Sequence, residues 1–209
     1  PLAVLRGELE ALQDGVRPLT MAAIDSLHAD TLRLHRLVDD LNDLAMSDLG
    51  ALSYRKTAVE PLAILREDLA ALASEFTVRQ IDVTLEPTAG PSLRINGDSG
   101  RLSQLFRNLL TNTLRYTDVG GRLVIRVSRN EDHLRLAFSD TAPGVPADDL
   151  PRLFDRFHRV DASRNRASGG AGLGLAICRS IVEAHDGSIT ATASPLGGLS
   201  ILIDLPLLP

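Results

Sequence analysis

Apolar side chains change period along this chain, and that change limits what it can fold into. Up to residue 48 they recur at alternating steps of three and four: Leu2, Leu5, Leu9, Leu12 and Val16, then Ile24, Leu27, Leu34, Val38, Leu41 and Ala45, with Thr31 as the polar member of the second series. A 3.5-residue period belongs to helices packed along a bundle seam. Between the two series lies Asp14-Gly15-Val16-Arg17-Pro18, whose glycine and proline interrupt a helix and suit a tight helical hairpin. One hairpin cannot cover its own seam, so the pattern predicts a homodimer in which two hairpins form a four-helix bundle. His28 and His35 fall on the second helix as surface residues of that bundle.

Residues 49–57 lose the repeat and read as a linker. From 58 to 209 the pattern becomes that of a mixed α/β domain. A helix near 59–76 carries Leu62, Leu65, Leu69, Leu72 and Phe76 on one face. Further helices are expected at about 99–115 and 173–185, the last stopped by Gly187. Strand-like alternation marks Ile81, Val83 and Leu85, then Leu93 and Ile95, then Leu123, Ile125 and Val127. It returns at Leu134, Leu136 and Phe138, at Ile189, Ala191 and Ala193, and at Ile201, Ile203 and Leu205. Alternation of this kind buries one face of a sheet, with helices laid over it. The fold class expected is α+β.

Bulk composition excludes more than it identifies. The formal net charge of −5 argues against a nucleic-acid binder, which carries a basic patch. No apolar run approaches the roughly 18–20 residues needed to span a bilayer, and no signal segment opens the chain. Any membrane attachment would therefore come through segments outside these residues. A single cysteine, Cys178, sits among apolar neighbours and reads as a small core residue.

Three places carry chemistry. In the helix expected at about 99–115, which carries the stretch Gln104 to Tyr116, the residues Leu102, Leu105, Phe106, Leu109, Leu110 and Thr113 form the core stripe, and Asn108, Asn112 and Arg115 flank it. Asparagine is a poor helix former, so two of them mid-helix suggest a use. An amide oxygen is a hard neutral ligand suited to Mg²⁺, whose other ligands are water and phosphate. Asp140 follows the buried parity of Leu134, Leu136 and Phe138, so its carboxylate needs a donor. That donor is either a nearby backbone amide or the exocyclic amine of a purine. Gly169-Gly170-Ala171-Gly172-Leu173-Gly174-Leu175 leads into a helix, where backbone amides and the helix dipole favour an anion. It lacks the Lys-Ser/Thr ending of the common phosphate loop and follows no first strand. Between the last two, Leu153 to Arg159 precedes a polar stretch with Arg164 and Arg166, which reads as a loop able to close on phosphates.

In this order, the motifs resemble the catalytic domain of sensor histidine kinases in the GHKL ATPase superfamily. Asn108 to Tyr116 match the N box, Asp140 to Val145 the G1 box, Leu153 to Arg159 the F box and Gly170 to Leu175 the G2 box, with Gly197-Gly198 as the last glycine box. The resemblance implies an α/β sandwich whose mixed sheet is covered on one face by helices, preceded by a dimerisation and phosphotransfer hairpin. It implies ATP and Mg²⁺ as cofactors and a cognate response regulator as partner. Asn112 would coordinate the metal, with Asn108 in support. Arg115 would lie near the phosphates, Tyr116 against the nucleotide, and Asp140 would accept from the adenine amine. Gly144 belongs to the turn after it. Gly170, Gly172, Leu173, Gly174 and Leu175 would bring backbone amides to the phosphates, and Arg159 and Arg164 would reach them from the lid.

The sequence departs from the family pattern at Ala142, usually glycine, and at Leu199, usually a threonine that helps bind adenine through water; Ser200 is adjacent. The family's H box reads His-Glu-Leu-Arg-Thr-Pro-Leu, and this sequence begins with its Pro-Leu. The resemblance therefore puts the phospho-accepting histidine just upstream of Pro1, on the cytoplasmic portion of an inner-membrane protein. Two rival readings follow from the same boxes. One is a nucleotide-binding module for dimerisation and regulator docking without kinase activity. The other is a mechanical ATPase of the same superfamily, disfavoured by the preceding heptad hairpin.

Overall fold

The computed structural model describes residues 2–48, 54–86, 93–141, 143–160 and 171–209. Two compact units divide the chain, Pro1–Gly50 and Ala51–Pro209.

The first unit is a hairpin of α1 (Leu2–Gln13) and α2 (Met21–Asp48). Gly15 turns the chain at φ +68°, a conformation that costs glycine little. The Thr20 hydroxyl accepts the Ala23 N–H at 3.2 Å and so caps the first turn of α2. Seam residues Leu5, Leu12, Leu27 and Leu34 are half-buried, whereas Leu2, Leu9, Ile24, Val38 and Leu41 remain exposed. A single hairpin thus covers part of its seam and leaves the rest to solvent. His28 and His35 are exposed.

The second unit contains β1 (Thr57–Val59), α3 (Pro61–Ala71), α4 (Ala73–Val78), β2 (Asp82–Glu86), β3 (Ile95–Gly97), α5 (Ser99–Tyr116), β4 (Arg122–Asn130) and β5 (His133–Asp140). A 3₁₀ turn at Leu150–Arg152, α6 (Gly174–Ala184), β6 (Ser188–Ala193) and β7 (Leu199–Pro206) follow. Five strands form one sheet in the order β2-β4-β5-β7-β6. The β2–β4 pair is parallel and the other pairs are antiparallel, so the sheet is mixed as expected. Its covered face carries Leu123, Ile125, Leu136, Phe138, Ile203 and Leu205 against the α5 stripe, with Phe106 stacked on Phe138 at 6.3 Å. Each such side chain contributes about 1.5–3 kcal/mol when fully buried. Opposite parity places charged rungs on the other face, including Arg126–Glu86 at 2.7 Å and Arg135–Asp204 at 2.8 Å. Charge on that side lets it face water.

Four local differences from the sequence reading have physical causes. The helix expected over 59–76 breaks at Leu72, which leaves helical geometry at φ −100° and ψ 4° while its N–H still bonds the Asp68 carbonyl. The apolar spacing continues across that break, so periodicity does not reveal it. Thr57, read as the end of a linker, begins β1 and pairs with Gly97. The strand around Ile95 therefore joins β1 in a separate two-stranded sheet and stays out of the main one. At the end of α6 the left-handed residue is Asp186, at φ +60°, and not Gly187. The Asp186 N–H bonds the Glu183 carbonyl and the Gly187 N–H bonds the Val182 carbonyl, a Schellman arrangement with aspartate in the usual glycine place. Gly187 is required for closeness instead, since a Cβ there would stand 2.4 Å from the Asp204 carbonyl oxygen.

Candidate nucleotide site

The site is built on the facing flanks of α5 and α6 and on the end of β5. Asp98 caps α5, its Oδ1 accepting the Arg101 N–H at 3.1 Å, which fixes where the helix starts and so which residues flank its core stripe. Burying Leu102, Leu105, Phe106, Leu109, Leu110 and Thr113 leaves Asn108 and Asn112 half-buried beside them, one turn apart. Asn108 Nδ2 donates to the Gly174 carbonyl at 3.4 Å. That bond joins the N-box helix to the first residue of α6, where unpaired amides and the helix dipole favour an anion. Arg115 is exposed and Tyr116 half-buried at the last turn of α5.

Asp140 ends β5 at 9% exposure. Its Oδ1 accepts the Leu199 N–H at 2.7 Å, and its carbonyl accepts the Gly198 N–H at 3.2 Å. Burial raises the carboxyl pKa from 3.8 to about 6, and the Leu199 bond opposes the rise. Gly144 lies against the β6–β7 loop, since a Cβ there would be 3.0 Å from the Gly197 carbonyl oxygen. The G1 turn and the last glycine box therefore meet beside Asp140. Leu199 serves through its backbone, and its side chain is buried. The Ser200 hydroxyl pairs with Ser139 at 2.6 Å, and strand parity puts that pair on the face opposite Asp140. Ser200 therefore does not replace the missing threonine.

Gly172 sits at φ +72° and its carbonyl accepts the Phe157 N–H at 2.9 Å. A Cβ on Gly172 would be 2.8 Å from the His158 carbonyl oxygen. Its missing side chain thus allows the G2 segment to lie backbone to backbone on the F box. Phe157 is itself left-handed, at φ +61°, and exposed. Phe154 is buried, with the Arg179 guanidinium 4.9 Å above its ring. Leu173 is buried, while Leu175 and Arg159 are half-buried. Arg164, Gly170 and Ala142 lie outside the described residues.

Among the described residues no group of three or more His, Cys, Asp or Glu side chains could hold a metal ion. Asn112 is half-buried on the same flank of α5 as Asn108. This donor set fits a hard cation that takes most of its ligands from phosphate oxygens and water. Sequence reasoning did not foresee the Leu199 amide or the Phe157–Gly172 contact. Backbone donors carry no residue-type signature, although a Gly-Gly pair before a strand hints at a close approach.

Known proteins resemble this chain in sequence and in fold. Residues 97–209 match the family described as "Histidine kinase-, DNA gyrase B-, and HSP90-like ATPase". The chain is 53% identical over 207 residues to the signal transduction histidine-protein kinase BaeS of Escherichia coli (strain K12), a match covering 99% of this chain and 44% of BaeS. The Acinetobacter baumannii histidine kinase AdeS superposes with a TM-score of 0.84 at 24% identity, over 100% of this chain and 96% of the other. Histidine kinase ThkA, solved in complex with the response regulator protein TrrA, gives a TM-score of 0.78 at 21% identity, over 100% of this chain and 58% of the other.

Proposed function

The chain belongs to the histidine kinases of this ATPase family, and we propose that it works as the kinase core of a two-component sensor. It binds Mg²⁺–ATP, delivers the γ-phosphoryl group to a histidine of an H-box hairpin, and so supplies a response regulator's aspartate. Asp140 carries this reading. A nine-tenths-buried carboxylate with one backbone donor has its charge incompletely compensated, and the exocyclic amine of adenine supplies a second donor. Guanine would offer an oxygen at the same ring position, so the site favours adenine.

Phosphates then lie toward the N-terminus of α6, near Gly174 and Asn108, with Leu173 and Leu175 shaping the turn and Gly170 and Gly172 allowing the lid to approach. Arg115, Arg159 and Arg164 add positive charge, and Tyr116 packs on the nucleotide. Asn112 would hold Mg²⁺, whose charge neutralises the phosphates when bound. Phosphoryl transfer requires little else from a protein than positioning and electrostatic compensation. The exposed half of the α1–α2 seam supports a homodimer. Likeness to BaeS supports a BaeR-like response regulator, envelope stress as the input, and a place on the cytoplasmic side of an inner membrane. No described helix is long and apolar enough to cross a membrane.

Asn112→Ala tests the metal assignment. Calorimetric titration should show Mg²⁺-dependent ATP binding for the unaltered chain and its loss in the variant. Equal ATP affinity in both would remove Asn112 from the site.

A further inference from the structure

His185 has no part in the site as described, yet it is 2% exposed and bonded at both ring nitrogens. Its Nδ1 is 2.7 Å from the Ile181 carbonyl oxygen, and its Nε2 accepts the Asp98 N–H at 2.9 Å. A carbonyl only accepts, so the proton is on Nδ1 and the ring is neutral. The Tyr54 ring meets it edge-on at 5.6 Å, and a Cβ on Gly97 would be 3.2 Å from its Cδ2.

Beside their apolar packing, polar contacts join α6 to α5 at successive levels, and their order shows the two helices to be antiparallel. Asn108 meets the Gly174 carbonyl at one end, the Cys178 thiol meets the Leu105 carbonyl at 3.8 Å between, and Asp98 meets His185 at the other end. The outer two lie about 15 Å apart along α5. Asp98 does more than cap α5. Its Oδ2 accepts the Arg55 N–H at 2.8 Å, and Lys56 Nζ lies 3.2 Å from Asp186 Oδ2, next to His185. The lead-in segment Tyr54–Lys56, the first turn of α5 and the end of α6 are thus tied at one point.

We infer that His185 is a positioning residue for the nucleotide site: it pins the C-terminal end of α6 to the first turn of α5, and so holds Gly174 in register with Asn108 and Asn112. Asp98 connects the lead-in segment to the same pin. The His185 attachment at the far end adds resistance to sliding and rotation of α6 that the 3.4 Å Asn108–Gly174 bond and the 3.8 Å Cys178–Leu105 contact, both toward the other end, supply only weakly. Catalytic and binding geometry tolerates displacements of only about an ångström before affinity or rate falls.

The inference rests on α5 and α6 being the nucleotide helices, and the test separates the two ideas. His185→Phe keeps the ring volume and the Tyr54 contact but removes both nitrogens. His185→Gln restores an acceptor near the Nε2 position. Titration with Mg²⁺ and a non-hydrolysable ATP analogue should show binding roughly five- to tenfold weaker for the phenylalanine variant and recovery to within about twofold for glutamine. Coupling is reciprocal, so in the unaltered chain saturating analogue should slow hydrogen exchange at the Asp98 amide by at least about fivefold. No binding by the unaltered chain overturns the nucleotide reading and the pin together. Binding with unchanged Asp98 exchange, or equal affinity in folded Phe and Gln variants, overturns the pin alone.

Discussion

Replacing Asp140 with asparagine should raise stability and lower affinity in the same protein. The carboxyl is shifted from 3.8 to about 6, with burial as the first cause. Because the folded value lies above the unfolded one, the fold favours the protonated form. That contribution is complete below about pH 3.8 and is lost as pH rises through about 6. Above that pH the buried charge costs the free protein up to about 3 kcal/mol, at 1.36 kcal/mol per pKa unit. Asparagine is never charged, so Asp140→Asn should stabilise the nucleotide-free chain by up to that amount at pH 7.5 and by little at pH 4. Binding moves the other way. The asparagine oxygen is needed by the Leu199 N–H, which leaves an amide NH₂ facing the adenine amine. Loss of a charge-assisted hydrogen bond is worth about 1.5–3 kcal/mol, or roughly ten- to hundredfold in affinity. The unaltered chain should also lose affinity below about pH 6, approaching tenfold per pH unit, and the variant should not. Urea denaturation at the two pH values and ATP titration at pH 7.5 and 5 measure both effects. A variant that is less stable at pH 7.5, or that binds ATP as tightly as the original, would refute this assignment of Asp140.

Two further substitutions probe the packing around the site. Gly172→Ala should cost about 1–3 kcal/mol, because alanine at φ +72° is strained and its Cβ meets the His158 carbonyl. Faster amide exchange at Phe157 would report the broken contact, and unchanged exchange would contradict it. His185 is buried neutral and its pKa is lowered, first by burial and then by Lys56, against the raising effects of the Ile181 bond, Asp98 and Asp186. Its contribution to stability is therefore full above the unfolded value near 6.5 and declines as pH falls through it. His185→Gln should remove that slope; an identical acid-side slope in urea melts of both proteins would contradict it.

Much of the fold was legible because its signals repeat. The heptad marks α1 and α2, and the α5 stripe is predicted residue by residue because five apolar positions and Thr113 agree on one face. Signals that occur once were harder to read. The break at Leu72 lies inside an unbroken apolar series, and β1 is three residues long with only Val59 half-buried. At the site, side-chain chemistry pointed to Asn108, Asn112 and Asp140. Backbone chemistry left no such mark: the Leu199 amide could belong to any residue. Gly172 is expected to give access to phosphate, and the geometry adds a close approach to Phe157 and His158 that the sequence does not signal. His185 was indistinguishable from an ordinary core histidine until the Asp98 and Ile181 bonds placed a proton on it.

The central claim is that these 209 residues hold the donor half of a phosphoryl transfer. The most direct test incubates the chain with Mg²⁺ and γ-labelled ATP, alone and with a separate hairpin carrying His-Glu-Leu-Arg-Thr-Pro-Leu. Acid-labile, base-stable label on the supplied hairpin is the predicted result. Label on the chain alone, or none on either while ATP remains bound, would contradict it.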